Sequence, residues 1–156
     1  MKFFHVGDLH LGKQLHGYDL IKDQEHMLEE LLSYIKKEQP DAVLIAGDIY
    51  DRAVPSGTAM QLLEHFFIQA DELAKEQKAV EIILIAGNHD AAKRLQYGSS
   101  FMKRHHIHIA VMPPQQEDAN LEQVTLTDQE GVVHFYLLPY TKPGMIRHWA
   151  EQEELV

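Results

Sequence analysis

The sequence predicts an α/β fold that begins β-α-β-α-β-α and continues into a β-hairpin. Three apolar segments each end in a glycine followed by Asp or Asn, and these glycines stand at positions 7, 47 and 87. Uninterrupted apolar segments of this length are typical of strands buried on both faces of a parallel sheet. The even spacing leaves room for a strand, a helix and two loops in each repeat, so it indicates β-α units joined by right-handed crossovers.

The first three strands are the apolar segments themselves. They read FFHVGD, AVLIAGD and EIILIAGN, and the letters after each strand are its glycine and the polar residue that follows. His5 lies inside the first of them, and we expect it to be a core residue.

Two of the connecting segments have helical periodicity. In residues 20–38 four apolar residues share one face, and Pro40 ends the helix. In residues 57–77 a longer apolar stripe recurs, and Ser56 is the expected N-cap. A third helix is predicted over residues 91–104, although it contains Gly98.

The remaining residues predict strands, a loop and a polar tail. Residues 107–112 (IHIAVM) form a fourth strand, and residues 113–120 form a proline-led loop. The segments VTLT and VVHFYLL flank DQEG and therefore predict a hairpin. His106 and His108, in the sequence RHHIH, alternate with isoleucine, so we expect them to share a strand face rather than bind a metal. The segment PYTKPG (139–144) breaks the pattern, and the tail that follows it is polar and is predicted to be helical.

The composition limits the class of protein. The chain has 156 residues, which suits one domain, and it contains no cysteine, which excludes disulfides and thiolate metal sites. Its formal net charge of −10 argues against a protein that holds nucleic acid by basic charge alone. The apolar segments are too short to span a membrane and the start is not a signal peptide, so we expect a cytoplasmic protein.

Polar side chains that can bind a cation follow all three of the first strands. They are Asp8 and His10, then Asp48, then Asn88 and His89. Ligands of open α/β sheets bind outside the carboxyl ends of the strands, where these residues meet. Two carboxylates brought together there need a cation to offset their repulsion. Oxygen and imidazole ligands suit Mn²⁺, Mg²⁺, Fe²⁺ or Zn²⁺, so the sequence predicts a metal site at this edge.

The same residues resemble a known family. Asp8-Leu9-His10, GDIYD (47–51) and GNHD (87–90) are similar, in order and spacing, to the first three motifs of calcineurin-like metallophosphoesterases. The stretches GDLHLGKQLHGYDL, GDIYDRAVPS and FYLLPYTKP resemble the SbcD-type exonuclease subunits of that family. The resemblance covers essentially the whole chain. It implies a calcineurin-like metallophosphoesterase sandwich, with residues 1–156 as the N-terminal portion of the nuclease domain, truncated before the later strands.

The resemblance also implies roles for the site residues. Two divalent metal ions, usually Mn²⁺, would be bound there. Asp8 and His10 would bind one metal, Asp48 would bridge both, and Asn88 would bind the second. His89 would be a catalytic group near the scissile phosphate rather than a ligand.

Three further residues are weaker candidates. Asp51 is expected to orient a ligand or the nearby loop. Arg52 and His16 are candidates for substrate binding.

The implied activity is that of a metal-dependent phosphodiesterase, a DNA exonuclease or endonuclease acting at DNA ends and hairpins in repair and recombination. The implied partners are DNA, an SbcC-type ATPase and a second copy of the chain, contacted through the helices at about 57–73 and 91–104. The family's later ligands, a histidine and a Gly-His-x-His motif, are not in this sequence. We therefore expect the isolated 156-residue chain to be inactive.

Two alternatives remain open at this point. One is a phosphoesterase of the same fold that acts on phosphomonoesters or cyclic nucleotides. The other is a non-catalytic fragment that associates with itself.

Overall fold

The structure is a computed structural model that describes residues 1–114 and 120–146. Its strands, in chain order, are β1 (Phe3–Val6), β2 (Gln14–Leu15), β3 (Tyr18–Asp19), β4 (Ala42–Ala46), β5 (Glu81–Ile85), β6 (Ile107–Ala110), β7 (Glu122–Asp128) and β8 (Gly131–Leu137). Its α-helices are α1 (Ile21–Glu38), α2 (Gly57–Glu76), α3 (Ala92–Leu95) and α4 (Ser99–Met102). The element order confirms the predicted α/β class and the hairpin that follows.

The central sheet is parallel and has the strand order β1-β4-β5-β6. Val6 of β1 pairs with Ile45 of β4, and Ala46 of β4 pairs with Ile85 of β5. Because these pairs lie at or next to the last residues of the strands, the three strands end side by side. The glycines at positions 7, 47 and 87 therefore follow at one edge of the sheet, as their spacing predicts.

Helices α1 and α2 cover one face of the sheet and form the larger core. Leu28 and Ile35 of α1 and Phe66 of α2 are buried there against β4 and β5. The Ser56 side chain accepts a hydrogen bond from the Ala59 backbone N–H (3.1 Å), which confirms the predicted N-cap. Helix α1 ends at Glu38, and Gln39 follows in the left-handed conformation (φ 46°).

The β7–β8 hairpin covers the opposite face. Val124 and Leu137 of the hairpin pack against Ala42, Ile83 and Ala110 of the sheet in a second buried cluster. The rings of Phe3 and Phe135 also meet edge to face at 5.9 Å. The sheet thus lies between a helical layer and a hairpin, which is the sandwich that the resemblance implies.

The third predicted helix is wrong as a continuous element. Residues 91–104 instead form the short helices α3 and α4, and a 3-10 turn follows at Lys103–His105. Gly98 separates the two helices in the left-handed conformation (φ 76°), which ends one hydrogen-bond ladder and begins another.

The expected core position of His5 is also wrong. Strand β1 lies at the edge of the sheet, and the His5 side chain is exposed. An apolar segment at the sheet edge is covered on fewer sides than the central strands, so its alternate residues reach solvent.

The small antiparallel pair β2–β3 was not predicted. Gln14 pairs with Asp19 and Leu15 with Tyr18 around a turn at His16 and Gly17, both of which have positive φ. Strands of two residues are too short to show alternation, so the sequence pattern carries no signal for them.

His106 and His108 contact the same carboxylate at the amino-terminal end of β5, the opposite end of the sheet from the three glycines. Glu81 lies 2.8 Å from His106 Nδ1 and 2.7 Å from His108 Nε2. Burial raises the pKa of Glu81, but the two hydrogen bonds outweigh burial and hold it below its ordinary value. These imidazoles therefore have a carboxylate partner well away from the three glycines.

Part of the predicted loop and most of the predicted tail lie outside the described residues. Residues 115–119 and 147–156 are not described, and residues 143–146 are helical. No helix in the described ranges is long and apolar enough to cross a membrane.

Candidate metal centre

The loop after β1 carries Asp8 and His10 in strained backbone conformations. Both have positive φ, 54° for Asp8 and 45° for His10, which non-glycine residues seldom adopt. Hydrogen bonds to the loop after β4 hold them there, from Asp8 N to Gly47 O (3.2 Å) and from His10 N to Asp48 O (2.9 Å). The backbone of the loop after β4 therefore holds the loop after β1 in place.

The loop after β4 turns sharply to present Asp48. Gly47 (φ 83°) and Asp48 (φ 48°) are both left-handed, and Asp48 is buried with 8% of its surface exposed. Asp48 Oδ1 accepts a hydrogen bond from the His89 backbone N–H at 2.9 Å. Asp48 thus binds the loops on both sides, through its carbonyl on the β1 side and its carboxylate on the β5 side.

Glycine is required where the loops after β4 and β5 touch. A Cβ built on Gly87 would collide with the carboxylate and the backbone nitrogen of Asp48, and a Cβ on Gly47 would lie 3.1 Å from Gly87 Cα. The glycines of the repeated pattern therefore permit the close approach that the Asp48 side chain needs.

His10, Asp48 and His89 converge into one cluster. Each offers a ligand atom that lies within 4.8 Å of the other two. His10 Nε2 is 4.0 Å from Asp48 Oδ2, and the rings of His10 and His89 meet edge to face at 4.9 Å. The structure thus brings together three of the four carboxylate or imidazole residues that the sequence places at this edge.

Asp8 and Asn88 lie at the same edge, where Asp8 is outside this cluster of imidazoles and carboxylate and Asn88 offers an amide oxygen. Their side chains are exposed, and Asn88 stands directly beside His89. Their predicted role as ligands stays a prediction.

The three clustered residues fit a divalent cation. Asp48 supplies a buried carboxylate oxygen, and His10 and His89 supply imidazole nitrogens, a donor set that transition metals accept. His10 Nδ1 is buried and makes no hydrogen bond with any residue that the structure describes. A buried nitrogen without a partner is uncommon in proteins. The other ring nitrogen, His10 Nε2, lies 4.0 Å from Asp48 Oδ2 and is the one that can bind a cation beside Asp48.

Asp51 contacts both imidazoles. Its backbone carbonyl lies 2.8 Å from His89 Nδ1, and its carboxylate lies 3.5 Å from His10 Nδ1 without forming a hydrogen bond. A carbonyl acceptor at Nδ1 fixes the ring of a histidine and leaves Nε2 as its working nitrogen. This geometry supports the predicted orienting role of Asp51.

The two candidate substrate residues differ in position. Arg52 lines a cleft of about 290 Å³ together with Asp51, Gly12 and Ser56, and its guanidinium is 3.8 Å from the Asp51 carboxylate. His16 is exposed in the β2–β3 turn and does not line that cleft. Arg52 is therefore the better placed of the two.

Asp90 is a structural residue that the sequence reasoning missed. Its Oδ2 accepts hydrogen bonds from Gly87 N (2.8 Å) and Ile49 N (3.1 Å), and its Oδ1 accepts one from Tyr50 N (3.0 Å). Burial and the nearby Asp90 charge raise the pKa of Tyr50 to about 12. Asp90 is the last residue of the motif GNHD, and that motif is the only indication in the sequence that Asp90 has a role.

The chain is similar to known proteins in two comparisons. The family model described as Calcineurin-like phosphoesterase matches residues 1–151. The chain is also 34% identical over 155 residues to the SbcD subunit of Nuclease SbcCD from Staphylococcus saprophyticus subsp. saprophyticus. That alignment covers 99% of this chain and 38% of the relative, so the chain spans less than half the relative's length.

Adding a methyl group at position 87 tests the close approach of the two loops. Gly87→Ala should displace the Asp48 carboxylate and lower the free energy of unfolding by about 1–3 kcal/mol, the usual cost of overpacking. Urea unfolding measures the change.

Gly57→Ala is the matched control, because a Cβ there meets no described atom within 4 Å at the start of α2. It should leave stability unchanged or raise it by about 0.4–1 kcal/mol. Equal stability of the two variants would show that the loops are not tightly packed.

Proposed function

Since the chain belongs to the calcineurin-like phosphoesterase family, we propose that it is part of a metal-dependent DNA nuclease subunit that hydrolyses phosphodiesters at DNA ends and hairpins. The observation that carries the proposal is the convergence of His10, Asp48 and His89 within 4.8 Å at the carboxyl edge of the sheet. Similarity to a component of Nuclease SbcCD supports a nucleic acid as the substrate.

The proposed cofactor is a pair of divalent cations, with Mn²⁺ as the preferred ion. Asp8 and His10 would bind the first, Asp48 would bind both, and Asn88 would bind the second. Bound divalent cations lower the pKa of a coordinated water and stabilise the charge that develops at phosphorus. The buried carboxylate of Asp48 and the Nε2 of His10, which lies 4.0 Å from Asp48 Oδ2, support a cation at this place.

His89 is proposed to act on the leaving oxygen. The Asp51 carbonyl accepts a hydrogen bond from His89 Nδ1–H, so the ring is held with Nε2 turned away from this contact. A doubly protonated His89 can then donate its Nε2 proton to the leaving group. His89 also offers one of the three clustered ligand atoms, so a variant must decide whether it acts as an acid or as a ligand.

Arg52 is proposed to hold a phosphate oxygen of the substrate. Its side chain is 72% exposed beside the Asp51 carboxylate and lines the cleft next to the site. A guanidinium matches phosphate geometry with two parallel hydrogen bonds. His16, which reaches solvent from the β2–β3 turn, is the proposed second contact to DNA.

The proposed setting is DNA repair and recombination in the cytoplasm, together with an SbcC-type ATPase. The relative is named as one subunit of Nuclease SbcCD, which supports a partner subunit.

The proposal also includes a homodimer through the helical segments at about 57–73 and 91–104. Met60, Tyr97 and Phe101 in these segments are 51%, 86% and 66% exposed, which supports this contact.

Replacing Asp48 and His89 separately distinguishes the ligand from the acid. In the full-length gene product, Asp48→Ala should abolish Mn²⁺ binding and cleavage of linear duplex DNA while the fold is kept. His89→Ala should keep Mn²⁺ binding and lower the cleavage rate by roughly 10²–10⁴-fold, the usual contribution of a general acid. Calorimetry and a nuclease assay measure the two effects.

His26→Ala is the control for these variants, because His26 is exposed on α1. Loss of Mn²⁺ binding in His89→Ala would make His89 a ligand. Hydrolysis of a phosphomonoester in preference to DNA would favour a phosphoesterase of the same fold instead.

Charge placed on the exposed helical surface tests the homodimer. Phe101→Glu should raise the dissociation constant of the dimer about 30-fold, which corresponds to the ~2 kcal/mol lost when an aromatic hot spot is truncated. Tyr18→Glu, at a residue on β3 that is 76% exposed, should leave it unchanged. Light scattering over a concentration series measures both, and a wild-type chain that stays monomeric throughout contradicts the dimer.

A further inference from the structure

The loop that carries His10 has an unusual backbone that something must hold in place. His10 (φ 45°) and Gly12 (φ 85°) are both left-handed, and Asp8 just before them is left-handed too. A non-glycine residue in this region costs about 1–2 kcal/mol and persists only where its surroundings enforce it. The conformation of residues 8–12 therefore depends on contacts from outside the loop.

Gln24 of α1 provides such contacts from the helical layer. Its Nε2 donates hydrogen bonds to Leu9 O (3.1 Å) and His10 O (2.8 Å), and its Oε1 accepts one from Gly12 N (2.9 Å). Both N–H groups of a primary amide can be used in this way. Gln24 is also one of two buried polar or charged residues among those described, with 9% of its surface exposed.

The His10 ring has no hydrogen bond to a described residue at Nδ1 that would set its direction. Metal-binding histidines are usually oriented by a hydrogen bond from their second nitrogen to a carboxylate or carbonyl. His10 Nδ1 makes no such bond within the described ranges, although the Asp51 carboxylate is 3.5 Å away. The direction of the ring therefore depends on its backbone, together with its edge-to-face contact with His89 and the Asp51 carboxylate beside Nδ1.

We infer that Gln24 is a positioning residue, whose amide holds residues 9–12 so that the His10 imidazole points at Asp48 and His89. Gln24 hydrogen bonds to the backbone of the loop and acts on the site through His10. The consequence for metal binding rests on the proposed function, whereas the consequence for the His10–His89 contact does not.

The three hydrogen bonds need a side chain that both donates and accepts, as the Gln24 amide does. Glutamate in its place would turn carboxylate oxygens toward the carbonyls of Leu9 and His10 and would repel them. Methionine has nearly the same length but can neither donate to those carbonyls nor accept from Gly12. The His10 carbonyl keeps its hydrogen bond from Lys13 N (3.0 Å), so the carbonyl of Leu9 and the N–H of Gly12 lose the most.

The test uses Gln24→Met and Gln24→Glu in the 156-residue chain, with Gln61→Met on the exposed side of α2 as the matched control. The first readout is the nuclear Overhauser contact between the His10 and His89 ring protons without added metal. The second is the Kd for Mn²⁺ by calorimetry. We expect both Gln24 variants to lose the ring contact and to raise the Kd about 10–100-fold, as is usual when a group that orients a ligand is removed. Gln61→Met should change neither.

The outcomes separate this inference from the proposed function. Folded Gln24 variants with the ring contact and the wild-type Kd would overturn the inference. Loss of the global fold in both variants, shown by circular dichroism, would also overturn it, because Gln24 would then be a general stabilising residue. If the wild-type chain binds no Mn²⁺ while the ring contact still depends on Gln24, the positioning role holds and the proposed metal chemistry fails.

Discussion

The site depends on one buried residue, Asp48, which hydrogen bonds to the loops on both sides of its own loop. Asp48 accepts a hydrogen bond from His10 N through its backbone carbonyl and one from His89 N through Oδ1. This arrangement is possible only because Gly87 leaves the space that a side chain would fill. The loops after β1, β4 and β5 are therefore not three independent ligand carriers, since moving one of them moves the other two.

The helical layer and the sheet contribute differently to this arrangement. The parallel register brings the ends of β1, β4 and β5 together. Just beyond these ends, Asp8, His10 and Asp48 have left-handed backbone conformations. Polar side chains then hold the strained loops, with Gln24 supporting the loop after β1 and Asp90 tying the loop after β4 to the one after β5. The acidic chain, with a net charge of −10, also provides a setting in which a cation at Asp48 is electrostatically favoured.

Local patterns predicted the parts of the structure that depend on neighbours in sequence. The apolar segments indicated the strands, the periodicity around Leu28 and Phe66 indicated the two long helices, and the repeated glycines indicated the common edge. The break at Gly98 was not predicted, because a glycine inside a helical pattern is compatible with either a continuous or a broken helix. Gln24 and Asp90 were missed because their partners lie up to 15 and 41 residues away, and no local pattern records such contacts. Asp8 was placed at the correct edge, but its exposure depends on a backbone conformation that the sequence does not specify.

Anomalous diffraction from crystals of this chain soaked in Mn²⁺ would test the metal site most directly. We predict a manganese peak within coordinating distance of Asp48 and His10, at the carboxyl edge of β1, β4 and β5. A map with no peak at that edge, or with its strongest peak beside Glu81, His106 and His108 at the opposite edge, would contradict this assignment.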